Sequence, residues 1–156
     1  MSDPLPMPLG LTEFMLAEGP QMWHEFALGL DFADPKGTID LLLAADAVTS
    51  RADCDRATTA LILAKAMAAG FHLGQCPKGF VEEAALAFAT RLAGMLASES
   101  YTTSRFALPA PQRKLVAARL GALGLPPLRH GRVTHRPRLG FAGWRPVRHP
   151  ATAQPA

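Results

Sequence analysis

At 156 residues, 49% hydrophobic and 19% charged, the chain has the length of one domain and enough apolar residues to bury a core. Its charge changes sign along its length: residues 1–104 hold 13 Asp/Glu against 6 Lys/Arg, net −7, whereas residues 105–156 hold 10 Lys/Arg and no acid, so that an acidic body carries a basic tail. The longest apolar runs, residues 60–64 and 84–89, fall far short of the ~20 needed to cross a bilayer, and no basic-then-apolar leader opens the chain; the expectation is a soluble cytoplasmic protein whose two cysteines, Cys54 and Cys76, stay reduced.

In chain order, residues 1–10 form a Pro-punctuated arm, followed by a short helix opened by Thr12 and closed near Gly19. Pro20 suits the first turn of a second helix, because that position needs no amide partner and the proline φ is already helical. Trp23, Phe26, Ala27 and Leu30 recur at helical spacing on one face of it. Residues 31–37 read as a connector, and Thr38 as the N-cap of a third helix with Asp40 in its first turn and Ile39, Leu42, Leu43 and Ala47 turned inward. The fourth helix is capped by Asp53 or Asp55 and ended by Gly70. Its stripe of Ala57, Ala60, Leu61, Ala64 and Ala68 is joined by apolar Ile62, Leu63 and Met67 on the other faces, the pattern of a buried central helix.

Residues 71–79 read as a loop. A long helix over residues 80–98 follows, with Glu82 and Glu83 near its positive end and Val81, Ala84, Ala85, Phe88, Leu92, Met95 and Leu96 as its stripe. A last amphipathic helix starts at Pro111, runs through Leu115, Val116, Ala118 and Leu120, and stops at Gly124 ahead of Pro126 and Pro127. No strand-like alternation is present, so the fold class is all-α, a compact bundle of five or six helices over residues 11–125. Residues 126–156 hold six prolines, three glycines and six arginines with few large aliphatic side chains, and read as a disordered Arg/Pro-rich tail.

The most distinctive local word is Cys54-Asp55-Arg56-Ala57-Thr58-Thr59-Ala60-Leu61, preceded by Leu41-Leu42-Leu43 and by Trp23-His24-Glu25-Phe26-Ala27. Over residues 23–71 this resembles a bacterial domain-of-unknown-function family, four-two-seven-four, whose members pair a Trp-containing acidic helix with a Leu/Ile helix and a Cys-Asp-x-x-Thr-Ala-Leu helix start. The resemblance implies a helical interaction-type domain and supplies no activity. Read from the residues, Asp55 caps and Cys54 is a small buried hydrophobe. A reactive thiol wants a cationic setting, and this one lies between two aspartates.

Catalytic and cofactor signatures are weak. His24, Cys54, His72 and Cys76 offer zinc-type ligands, but the paired close spacing of a structural zinc site is missing, and only His72-x3-Cys76 comes near it. His24, Glu25, Thr58 and Thr59 assemble a nucleophile, base and acid on paper, without a nucleophile elbow or a glycine-rich phosphate loop. His24 reads as a half-buried histidine at the core edge, and Asp40, Asp46, Asp53 and Asp55 as caps and solvated charges. No metal, no cofactor and no enzyme activity are expected.

The tail interleaves Arg129, Arg132, Arg136, Arg138, Arg145 and Arg148 with Phe141, Trp144 and three histidines, a mixture suited to phosphate neutralisation and base stacking on single-stranded nucleic acid. The same residues suit an anionic membrane surface, a fold-back onto the acidic body or a neighbouring subunit, or plain solvation. The leading expectation is a non-catalytic helical module that binds a protein partner through its body. The alternative is a nucleic-acid-associated protein contacting phosphates through Arg129, Arg132, Arg136, Arg138, Trp144, Arg145 and Arg148, aligned with Arg113, Lys114 and Arg119 of the last helix.

Overall fold

A computed structural model describes residues 10–32, 38–75, 82–98 and 104–128. Among them are six α-helices and no strand: α1 Leu11–Ala17, α2 Pro20–Gly29, α3 Thr38–Thr49, α4 Arg56–Ala68, α5 Glu82–Ala97 and α6 Ala110–Ala122. The expected all-α bundle is thus present. The arm before residue 10, most of the connector, the loop from Cys76 to Val81 and the tail beyond Leu128 lie outside the described residues.

The helix ends follow from local chemistry. α1 begins one residue before Thr12, because Glu13 reaches back to accept the Gly10 amide at 2.7 Å. Pro20 occupies the first turn of α2, as its missing N–H allows. Thr38 is already helical rather than the residue ahead of the helix. Asp55, not Asp53, caps α4: its carboxylate accepts the Ala57 amide at 3.1 Å, while Asp53 is exposed and pairs loosely with Arg51 at 3.7 Å. Gly70 closes α4 at φ +89°, where a side chain would be strained, and a single 3-10 turn, Phe71–Leu73, is set inside the expected loop. α6 ends in a Schellman motif, with Gly124 at φ +67°, its amide on the Gly121 carbonyl and the Leu125 amide on the Leu120 carbonyl.

α4 is the central element, packed against α2, α5, α6 and the 3-10 turn, while α1 lies on α3. Ten of its 13 residues are buried, including Leu61, Ile62 and Leu63, which fits a helix apolar on every side. Ala68, placed in its expected stripe, is exposed instead. Trp23, Phe26, Phe32 and Phe71 are the largest buried side chains, with Phe32 tilted on Phe71 at 4.9 Å and edge-on to Phe88 at 6.1 Å. The Trp23 indole donates to the Met15 carbonyl at 2.6 Å and so ties α2 to α1. Lys65 donates to the Leu28 carbonyl at the end of α2 (2.7 Å), and Arg56 to the Leu96 carbonyl at the end of α5 (2.8 Å).

Three stripes depart in part from their expected facing, those of α5 and α6 at single residues only. α5 buries Ala85, Phe88, Ala89, Leu92 and Leu96, and leaves Ala84 exposed. α6 buries Val116 and Leu120 and exposes Ala118. The largest departure is α3, whose core side is made of small residues, Ala44, Ala45, Val48 and Thr49. Ile39 and Leu43, expected inward, are 54% and 56% exposed, and Leu42 and Ala47 are half-buried. Leu125 and Leu128 pack against the core, so the body extends three residues past the expected boundary at 125.

Candidate functional site

Two places concentrate chemistry, one at the start of α4 and one between α3 and α5. The first is a buried polar centre. His24 of α2 is fully buried rather than half-buried, its Nδ1 lies 2.8 Å from the Thr58 hydroxyl of α4, and its ring stacks on Phe106 at 4.5 Å and 14°. One turn away the Cys54 thiol, 0% exposed, meets the Thr59 hydroxyl at 3.5 Å. Asp55, 1% exposed, accepts the Arg105 amide at 2.6 Å and the Phe106 amide at 3.4 Å in addition to capping α4, and so pins the segment before α6 to the start of α4.

The fold therefore brings together the His24 and Thr58 pair that the sequence allowed on paper. Thr58, like His24, is 0% exposed, so a substrate has no surface from which to reach the hydroxyl. Burial, reinforced by the Asp55 and Asp53 charges and only partly opposed by the Thr59 hydrogen bond, pushes the Cys54 thiol up from 9.0 to about 12. A thiol held in that form is not a nucleophile near neutral pH. Lys65 moves the other way, to about 8, because burial of its ammonium outweighs the attraction of Asp31. Among the described residues no group of three or more His, Cys, Asp or Glu side chains is arranged to hold a metal ion. His72 lies in the 3-10 turn, and Cys76 is outside the described residues.

The second place is a surface groove. Leu42, Leu43 and Asp46 of α3 face Ala84, Ala87, Phe88 and Arg91 of α5 across an open cleft of about 330 Å³. The Arg91 guanidinium bridges one end, donating to the Asp46 carboxylate at 2.7 Å and the Thr49 hydroxyl at 2.8 Å, with its plane near the Phe88 ring at 5.8 Å. Ile39, one turn before Leu43 on the same side of α3, is likewise more than half exposed. Apolar residues lie on most of the α3 surface, yet α1 and the core fully bury only Ala44, Ala45, Val48 and Thr49, with Leu41 and Leu42 half-buried against the core. Of the stripe that helical spacing picks out, Ile39 and Leu43 are exposed and Leu42 is half-buried. The signal that would have found this exposure is the run Leu41-Leu42-Leu43, since three consecutive leucines span ~200° of a helix and cannot share one interface.

A second cleft, about 260 Å³, lies beside α6 and is lined by Phe106, Leu108, Val116, Leu120, Leu125 and Leu128, with Arg113 at its edge. Arg113 and Lys114 are exposed on one side of α6, while Arg119 is half-buried and offset by roughly 120–140° about the axis, at 100° per residue. The continuous basic strip required by the nucleic-acid alternative is not formed by these three side chains. The tail residues proposed to complete it, Arg129, Arg132, Arg136, Arg138, Trp144, Arg145 and Arg148, lie outside the described residues. No described helix is long and apolar enough to cross a membrane. No family model, curated protein or solved structure matches this chain.

Proposed function

We propose that the protein is a non-catalytic helical interaction module that binds another protein in the groove between α3 and α5. The observation that carries this reading is the exposed apolar face of α3: Ile39 and Leu43 stand more than half exposed beside a groove floored by Leu42, Ala84, Ala87 and Phe88. A monomer gains nothing from leaving such side chains in water, and contiguous apolar patches with a polar rim mark contact sites. An apolar segment of a partner laid in the groove buries them, with Asp46 and Arg91 at one end fixing its direction.

The burial of His24, Thr58 and Cys54 supports a structural role for the polar centre and a body without catalysis. Within this reading the protein acts in the bacterial cytoplasm. The Cys-Asp word is the capped start of the central helix. The nucleic-acid alternative has less support, because the bases of α6 diverge.

The test is the variant Leu43→Asp in the full chain. Leu43 is exposed, so the substitution changes stability by no more than about 0.5 kcal/mol. Proteins retained from a host extract by the wild type and lost with L43D support the reading. Retention unchanged by L43D, or abolished instead by nuclease treatment, contradicts it.

A further inference from the structure

The cleft beside α6 is the product of one helical row. Arg113, Ala117 and Gly121 follow one another at four-residue spacing, so they lie in line along α6, and all three line the cleft. Bulk falls along that row from a guanidinium to a methyl group to a hydrogen, and the space so left is the cleft. The backbone does not ask for the glycine. Gly121 sits inside the helix, where glycine is a poorer helix former than alanine, and a Cβ there would meet no atom within 4 Å.

The walls are apolar and fixed. Val116 and Leu120 in the neighbouring row of α6, and Phe106 and Leu108 ahead of the helix, are all buried. Phe106 is held by its amide on the Asp55 carboxylate at 3.4 Å and by its ring stacked on His24. Past the turn at Gly124 the chain adds Leu125, Pro127 and Leu128 to the lining. An apolar cavity of about 150 Å³ already holds a benzene ring. The cleft, at about 260 Å³, therefore takes one ring or one short alkyl chain. Its charge has one sign: Arg113 is the charged residue of the lining, it stands in the first turn of α6 where the helix dipole is positive, and residues 104–128 hold three further bases and no acid.

We infer that this cleft binds a small amphipathic carboxylate, a single short alkyl chain or ring whose apolar part lies on Phe106, Leu108, Val116 and Leu120 and whose carboxylate meets the Arg113 guanidinium. A guanidinium offers a carboxylate two parallel N–H donors, and the bases of this end of the body attract an anion to it. The α3/α5 groove differs, because its carboxylate, Asp46, and its guanidinium, Arg91, are already closed on each other. The two clefts share no residue, so this inference goes beyond the docking reading and does not depend on it.

Sodium octanoate and its neutral counterpart 1-octanol, titrated into the full chain at neutral pH and followed by amide NMR shifts, test it. The expected result is a saturable shift of the Phe106, Val116 and Leu120 amides, with octanoate bound about tenfold more tightly than octanol. Hexanoate, two methylenes shorter, binds about fifteenfold more weakly than octanoate. In Arg113→Met the advantage of octanoate over octanol disappears while octanol still binds. In Gly121→Met, which puts a side chain into the cleft and a better helix former into α6, both ligands lose their binding and the fold is kept. L43D changes neither. Four outcomes overturn the inference: no saturable binding of octanoate, octanoate bound no more tightly than octanol by the wild type, an octanoate advantage kept in R113M, or binding that survives G121M. Binding that survives G121M and is lost in L43D moves the ligand to the α3/α5 groove and overturns this inference alone, since retention of a protein partner is read separately.

Discussion

Asp55→Ala is expected to be the most damaging single polar substitution in the body, although the residue touches no site on the surface. Its carboxylate accepts three backbone amides, from Ala57, Arg105 and Phe106, at 3.1, 2.6 and 3.4 Å. Losing the N-cap costs about 0.5–2 kcal/mol. The buried Phe106 amide left without an acceptor adds about 1–3 kcal/mol and the part-buried Arg105 amide about 1 kcal/mol, while relief of the buried carboxylate's own desolvation offsets part of the total. A net loss of about 3–5 kcal/mol follows, a large share of the 5–15 kcal/mol typical of a domain. In urea unfolding this moves the midpoint by roughly 2 M at an m-value near 2 kcal/mol/M, with the slope unchanged. Asp53→Ala is the internal control, since Asp53 is exposed and its ion pair with Arg51 contributes at most a few tenths of a kcal/mol. Equal, small effects of D53A and D55A would refute the claim that Asp55 joins the start of α4 to the segment before α6.

Gly70→Ala and Gly74→Ala separate crowding from backbone strain: both glycines have positive φ, +89° and +72°, but a Cβ at Gly70 would sit 2.8 Å from the Gln75 amide oxygen, whereas at Gly74 it meets nothing. G74A is expected to cost about 1 kcal/mol and G70A about twice that in the same urea assay; equal costs contradict the packing described at Gly70. The Lys65 ammonium is held down to about 8, so the unfolded state binds more protons between there and the ordinary 10.5, and the stability tied to this group rises with pH over that window. Lys65→Met, measured beside the wild type, is expected to lack that rise. The Cys54 thiol, raised to about 12, gives the opposite sign: its contribution is complete below 9.0 and is lost as pH climbs toward 12, and Cys54→Ala removes the fall. In a Cys76→Ser background, Cys54 is expected to resist a thiol reagent at neutral pH until the chain is unfolded, and rapid labelling of the native protein contradicts the burial described.

How much of this was legible in the sequence depended on whether the signal was local. α4 was readable because Asp55, the apolar run and Gly70 lie within one helix length, and Pro20 and Gly124 marked their helix ends for the same reason. The facing of α3 was not, since apolar residues surround its axis and periodicity has no polar side to subtract. Small Ala44 and Ala45 let α3 approach α1 and the core, and the larger Ile39 and Leu43 were left in water. His24 was placed at the core edge because its two real neighbours, Thr58 and Phe106, are remote in sequence. The second role of Asp55 depends on amides 50 and 51 residues away, which no local word can encode. The charge asymmetry was plain from composition, but the divergence of Arg119 from Arg113 and Lys114 emerged only once α6 had a buried face.

The central claim, that the α3/α5 groove is where this protein meets its partner, is tested most directly by a photo-crosslinking residue placed at Leu43 and, separately, at Lys114 on the exposed side of α6, in the full chain within its host cell. The account predicts a discrete intermolecular protein adduct from position 43 and none from position 114. Adducts from position 114 with none from position 43, or adducts to nucleic acid at both, would contradict it.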